Sequence, residues 1–363
     1  MSMYIYESAD WPNFTWNESQ LAARLIANRF AQGRLIGRME ALGFELRDEA
    51  VLETLAIDII KSSEIEGEFL NREQVRSSLA HRLGMDIGSL LPVDRHIEGI
   101  VEMILDATQN YAAPLSQERL YGWHAALFPT GYSGLFPIKT GAWRDGPMNI
   151  VSGPYGRERI HYQAPSAASV PQEMTTFLDW FNNENTIDPI IKAGVAHLWF
   201  VTIHPFDDGN GRIGRAIADM ALARSEQTSQ RFYSLSRQIQ LDRTEYYKQL
   251  ESTQHDNVDI TSWLYWFLGV QNDAINLAQD TLEEVLFNAR FWENHKTVDI
   301  NERQRKIINK LLDGFDGKLT SSKWAKVCKC SQDTANRDIN DLVNKGILKQ
   351  NELGGRSTSY ALM

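Results

Sequence analysis

Apolar residues recur at three- and four-residue spacing through most of this 363-residue chain, the period of one face of a helix rather than of a strand. "NESQLAARLIANRFAQGRLIGRMEAL" opens the pattern, with Asn17 placed to cap it. "DEAVLETLAIDIIKSSEIEGEF" and "REQVRSSLAHRLG" continue it, as do "HIEGIVEMILDATQNY", "QERLYGWHAALF", "PQEMTTFLDWFNNEN" and "IIKAGVAHLWFVTIHPF". The rhythm breaks between residues 129 and 165, where Pro and Gly gather. There "PMNIVSG" and "ERIHYQAP" flank "GPYG", which predicts a small β-hairpin, either an edge ornament or a flap over a site. After "FWENHKTVDINE", which reads as a linker, three helical runs and a terminal hairpin turning at Gly354-Gly355 predict winged-helix order. The expected fold class is mainly α, with an N-terminal helical region over 1–95, a core over 96–270, a helical linker over 271–299 and a winged-helix domain over 300–363.

Composition changes this picture little. The chain is 43% hydrophobic and 23% charged, as soluble globular proteins are. Its longest strongly apolar run, "WLYWFLGV", is far too short to cross a bilayer, and the first residues lack a signal-peptide pattern. Cys328 and Cys330, as "CKC", neither complete a zinc site nor close an unstrained disulfide, so a cytoplasmic location is expected. Charge is uneven. Residues 301–363 hold twelve Lys or Arg against seven Asp or Glu, a balance of +5, so the remainder carries −15 of the overall −10. The main body is therefore a poor general nucleic-acid binder, while the tail leaves that question open.

The chemistry concentrates in "HPFDDGNGRIGR", residues 204 to 215. Gly209, Asn210 and Gly211 can adopt positive φ and feed the start of an apolar-periodic helix, whose free N–H groups and dipole favour an anion. Arg212 and Arg215 supply guanidinium forks for phosphate oxygens. Asp208 is a hard oxygen ligand suited to Mg²⁺, the usual companion of polyphosphates. His204 titrates near neutrality and suits the base for an attacking hydroxyl, although a histidine there can also simply cap a helix. A catalytic metal held by His197, His204, Asp207 and Asp208 is disfavoured, because His197 lies in an apolar helix and the arginines repel a cation.

The same twelve residues resemble the HxFx[D/E]GNGRxxR signature of Fic domains, and the "GAWR…IHYQAP" hairpin resembles that family's flap. The resemblance runs from the N-terminal helices to about residue 270. It implies a Fic-type helical core and a protein adenylyltransferase that moves AMP from ATP, with Mg²⁺, to a Ser, Thr or Tyr hydroxyl of a protein. His204 would be the base and Asp208 the magnesium ligand. Gly209, Asn210 and Gly211 would form the anion hole, Arg212 would contact the phosphates and Arg215 the γ-phosphate, with Ile213 and Gly214 completing the stretch. Phe206 would anchor the loop. Met148, Asn149, Ile150 and Val151 of the flap would clamp a target segment by strand addition. "EYYKQLESTQ" resembles the adenine-pocket stretch, with Tyr247 and Gln254 as candidates, Tyr247 being equally readable as a core aromatic. A branch of the family that phosphorylates carries lysine at the second glycine. This chain keeps Gly211, which favours nucleotidyl transfer.

"SSEIEG", Ser62 to Gly67, resembles the family's inhibitory motif [S/T]xxxE[G/N]. Ser62 and Glu66 share a helix face at i, i+4, and Gly67 is placed to end that helix. If Glu66 reaches Arg215, it takes the fork meant for the γ-phosphate, and an autoinhibited enzyme of the class with an N-terminal inhibitory helix is expected. The same glutamate implies a second activity, AMP removal. The terminal module's "SQDTANRDINDLVNKG" is acidic for a groove-reading helix, so protein docking or homodimer stabilisation is favoured over DNA binding. The alternative is a DNA-binding regulator whose core senses nucleotide.

Overall fold

The computed structural model describes residues 4–85, 91–153, 156–312, 315, 317–351 and 358–363. It is mainly helical and divides into two compact units, residues 1–280 and 281–363. The first unit opens with α1 (Glu18–Glu40), whose cap is Asn17, its Oδ1 accepting from the Gln20 amide at 3.2 Å. Helices α2 (Phe44–Ile65), α3 (Arg72–Leu83), α4 (Arg95–Gln109) and α5 (Gln117–Leu127) follow. Two antiparallel pairs come next, the short β1 (Tyr132–Ser133) with β2 (Phe136–Pro137), and β3 (Asn149–Ser152) with β4 (Arg159–Gln163). The second pair is the expected hairpin. The first was not anticipated. Of the "GPYG" turn, Pro154 and Tyr155 lie outside the described residues.

Helices α6 (Val170–Asn183), α7 (Pro189–Ile203), α8 (Asn210–Glu226), α9 (Leu235–Leu241), α10 (Arg243–Gln254) and α11 (Thr261–Asn294) complete this part of the chain, and the division between units falls inside α11. Helix α7 is apolar all round and buried from Ile190 onward except at Lys192, which makes it the central helix. Helix α8 packs along it, and α2, α4 and α5 pack on α8. Gly214 permits that closeness, since a Cβ there would come 2.8 Å from Val201 Cγ1. No step between compact units occurs at residue 95, because α2, which carries Ser62, packs directly on α4, α8 and α9.

The second unit holds α12 (Glu302–Leu312), α13 (Ser321–Cys328), α14 (Gln332–Asn344) and an antiparallel pair, β5 (Leu348–Gln350) with β6 (Tyr360–Leu362). A bridge from Leu319 to Tyr360 widens the pair. Trp324, Ile307, Ile308, Ile339 and Leu342 form its core. The expected turn at Gly354-Gly355 lies outside the described residues. Cys328 and Cys330 are free thiols, and burial pushes that of Cys328 up. Among the described residues no helix is long and apolar enough to cross a membrane.

Candidate functional site

The site is built where α7 ends. The last carbonyls of a helix lack partners within it, and in a buried setting each must find a donor. Here His204 Nδ1 takes the Val201 carbonyl at 3.0 Å and the Tyr162 hydroxyl takes that of Thr202 at 2.7 Å. Arg144 takes the next three, with Nη2 on Ile203 at 3.4 Å, Nε on His204 at 2.8 Å and its amide on Pro205 at 2.9 Å. Asn210 Nδ2 donates to the Phe206 carbonyl at 2.8 Å, and its Oδ1 accepts from the Phe206 amide at 2.9 Å. The run from 201 to 206 is thus fully engaged. Asn210 serves it as a clasp closing the loop onto the first turn of α8.

That clasped loop sets the conformation of His204. It caps α7 at φ 52° and ψ 59°, a left-handed conformation that costs a non-glycine residue about 1–2 kcal/mol. Because Nδ1 donates to Val201, the proton resides there and Nε2 keeps its lone pair. Burial lowers the imidazole's pKa, and Arg144 adds to that lowering, while the Val201 bond, Glu66 and Asp208 oppose it. His204 thus caps the helix while its Nε2 keeps the lone pair that the expected role of base would use. Phe206 is fully buried beneath the loop, stacked on His124 with centroids 4.2 Å apart. His124, brought down by burial to about 4, is a neutral acceptor for the Gly141 amide at 3.0 Å.

Gly209 turns the chain into α8 at φ 78°, where a Cβ would lie 2.9 Å from the Phe128 ring. Its amide donates to Asp208 Oδ1 at 2.6 Å, and the Ser133 hydroxyl donates to Asp208 Oδ2. Asp207 faces the other way, accepting from the Lys139 amide at 2.8 Å. Both arginines are buried and both meet carboxylates from the end of α2. Arg215 donates through Nε to Ser62 Oγ and through Nη2 to the Ser62 carbonyl, each at 2.9 Å, and again through Nη2 to Glu66 Oε1 at 2.8 Å. Burial works against its charge, but Glu66 beside it holds the guanidinium protonated. Gly67, at φ 82°, ends the helix as its place in the sequence implied. Arg212 donates to Glu68 Oε2 at 2.9 Å and lies over the Phe128 ring.

The other expected site residues are distributed more unevenly. Tyr247 braces the same glutamate, its hydroxyl 3.3 Å from the Ile65 carbonyl and 3.4 Å from Glu66 Oε2. Gln254 is buried, with Nε2 3.3 Å from Thr202 Oγ1. Ile213 and Gly214 face the helix core rather than the loop. Met148 precedes β3 and pairs its carbonyl with the Ala164 amide. Asn149, Ile150 and Val151 lie on β3, whose outer edge has no strand partner among the described residues. His197 is buried against Trp263 and bonded to the Tyr246 hydroxyl, and burial drives its pKa to about 3, so it is a core imidazole.

Known proteins agree with this architecture. Residues 114–222 match the Fic/DOC family. The chain carries a Fic domain. Ahead of the Fic domain, residues 4–85 match a domain of unknown function, DUF4172. A probable protein adenylyltransferase of Aquifex aeolicus is 41% identical over 61 residues, 17% of this chain and 19% of that protein. Protein adenylyltransferase fic-1 of Caenorhabditis elegans is 43% identical over 58 residues, 15% of this chain and 11% of its own. The chain spans about a third or less of the length of the curated relatives it matches. A crystal structure of a Fic family protein from Desulfovibrio desulfuricans G20 shares the fold, with a TM-score of 0.53 at 23% identity over 94% of this chain and 96% of that one.

Several residues that shape the Fic site were missed in the sequence. Arg144 sits in the quoted "GAWR", yet nothing there shows that a buried arginine will reach the end of α7. Glu68 lies just beyond "SSEIEG". Burial alone would raise its pKa, but a hydrogen bond from His96 and the charge of Arg212 hold it below the ordinary carboxylate range. His96 in turn bonds the Leu127 carbonyl through Nδ1 at 3.0 Å. Ser133 carried no signal at all.

Proposed function

We propose that this chain is a protein adenylyltransferase restrained by its own Glu66, transferring AMP from ATP to a protein hydroxyl, its own hydroxyls among the acceptors. The observation that carries this reading is the junction of a neutral, Nε2-available His204 with a glycine turn and two buried arginines. Arg212 Nε and Arg215 Nη1 are buried N–H donors without an acceptor among the described residues, as a site that receives further phosphate oxygens requires. No group of three or more potential metal ligands occurs among the described residues. Magnesium fits even so, because it is commonly held by one carboxylate together with substrate phosphates, and Asp208 is that carboxylate. When bound, Mg²⁺ neutralises phosphate charge.

The residues then divide the work. The backbone N–H groups of Asn210, Gly211 and the start of α8 receive the phosphates, joined by that of Gly209 once it leaves Asp208, while Arg212 and Arg215 align them. His204 Nε2 accepts the proton of the acceptor hydroxyl as its oxygen bonds the α-phosphorus, and pyrophosphate departs. The free edge of β3, Met148 to Val151, holds the target segment by strand addition. Tyr247 and Gln254 border the adenine. Glu66 denies Arg215 to the γ-phosphate, and in a productive arrangement it aligns a water for AMP removal. The terminal unit, as a winged helix, docks a protein or a second copy rather than DNA, and the protein works in the cytoplasm.

Parallel incubations with α- and γ-labelled ATP test the reading. Label retained from the α-position alone is expected, and label from γ alone would replace transfer of AMP with kinase chemistry. A pH profile gives a second check. Activity needs the neutral imidazole and is lost as pH falls through the pKa of His204, which burial places below the usual histidine value. Labelling is therefore expected to persist at a pH where an ordinary histidine is half-protonated, and a midpoint at or above the ordinary value would contradict the assigned base.

Glu68 belongs to the same restraint. It occupies Arg212 as Glu66 occupies Arg215, so ATP has two carboxylates to displace. In a His204→Ala chain, Glu68→Gln is expected to tighten ATP binding about tenfold by calorimetry, since a buried guanidinium that loses a charged partner gains from a phosphate. An unchanged affinity would leave Glu66 as the sole restraint.

A further inference from the structure

Arg144 differs from an ordinary structural arginine. It is 2% exposed, yet among the described residues its side chain donates to backbone carbonyls alone: His204 at 2.8 Å, Gly146 at 2.9 Å, Pro165 at 2.6 Å and Ile203 at 3.4 Å. Buried cations are normally matched by an acid. Asp207 acts on Arg144 only through space, and burial disfavours its charge. What replaces the acid is the end of α7, where carbonyl dipoles aligned along the helix converge. A cation planted there holds those carbonyls more firmly than any neutral donor would.

The four carbonyls also belong to two different parts of the site. Gly146 precedes β3 and Pro165 follows β4, so two bonds clamp the root of the hairpin. The other two grip Ile203 and His204, and the Arg144 amide adds Pro205. From the hairpin itself, Tyr162 bonds Thr202 at 2.7 Å. The strand pair and the left-handed turn of His204 are therefore tied by the Arg144 side chain, with Tyr162 adding a bond at Thr202. That turn is a conformation non-glycine residues avoid, so it must be held from outside.

We infer that Arg144 is a positioning residue that fixes His204 Nε2 relative to the β3–β4 hairpin, so that a segment added to β3 presents its hydroxyl in register with the base. The inference rests on the transfer reading given above. It adds to that reading the bonds that tie hairpin and base together. Misplacement of a reacting group by about 1 Å costs on the order of 100-fold in rate.

The test uses the full chain carrying Glu66→Gly, with Arg144→Met and Arg144→Lys added separately. Self-labelling from α-labelled ATP is followed as a function of ATP concentration, and ¹⁵N-histidine spectra report the tautomer of His204. Arg144→Met is expected to lower the saturating rate about 100-fold while the half-saturating ATP concentration stays within about twofold, because none of its bonds reaches the glycine turn. The single Nδ1–H signature of His204 is expected to give way to a tautomer mixture. Arg144→Lys keeps the charge but not the fork, and should recover about tenfold of the loss. If Arg144→Met does not fold, the Lys variant carries the test, with an expected fall of about tenfold and the same change in tautomer. A saturating rate and tautomer signature unchanged in whichever variant folds would overturn the inference. So would a rate loss matched by an equal rise in half-saturating ATP. His204→Ala in the same background separates the two ideas. If that chain still labels, the transfer reading fails, whereas labelling that needs His204 but ignores Arg144 removes this inference alone.

Discussion

Replacing Glu66 by glycine is expected to raise self-labelling from α-labelled ATP by about 100-fold. Glu66 Oε1 lies 2.8 Å from Arg215 Nη2, and with that bond in place the guanidinium cannot turn its full fork to a phosphate. Without the carboxylate, Arg215 keeps two bonds to Ser62, which hold it in place, and exposes Nη2 beside the already unpartnered Nη1. The γ-phosphate then has a bidentate seat, and the α-phosphorus comes into line with the incoming oxygen. The size of the gain follows from geometry, since about an ångström of misalignment costs two orders of magnitude. Glu66→Gln should give an intermediate rise, because it keeps the bulk while losing the charge. The measurement is label per molecule against time at saturating ATP. No increase in either variant would mean that Glu66 is a structural partner of Arg215 and no restraint.

His204→Ala, introduced into the Glu66→Gly chain, is expected to lower the same rate by roughly 100- to 10 000-fold, the range a positioned general base contributes. The fold should survive the change. The imidazole's hydrogen bond is to the Val201 carbonyl, one backbone bond at the edge of the loop, and the left-handed turn is held by Arg144 and Asn210 from either side. ATP affinity should be nearly unaffected, so the loss falls in the saturating rate. A thermal melt within a few degrees of the parent and an unchanged nucleotide titration would locate the defect in proton transfer. Retained labelling with the folded protein would eliminate His204 as the base.

Much of this was legible in one dimension because it is local. Three- and four-residue periodicity gave the helices, and the Pro- and Gly-rich interruption gave β3 and β4. Ser62 and Glu66, one turn apart, do converge on a single partner, Arg215. The parts that escaped are those that depend on distant segments. Asn210 reads as part of an anion hole; that its side chain also clasps the Phe206 backbone is visible only once the loop is closed. Glu68 carries no signal in the sequence, and its part emerges only where α4 brings His96 beside it and α8 brings Arg212. The helical linker expected over 271–299 turns out to continue α11, which runs unbroken from Thr261 to Asn294. Helix continuity depends on propensity and packing, and neither changes when an exposed face becomes more charged.

The space above Gly211 has a single tenant. A β-carbon there would collide with Glu66 Oε1 and stand 3.1 Å from its Cδ and 3.3 Å from Arg215 Nη1. Any side chain at 211 would push Glu66 from its place beside Arg215, so under the proposed restraint it is the bare glycine that leaves the glutamate room. Under that restraint, drawing the end of the second helix outward would free Arg215 while leaving the glycine turn as it stands.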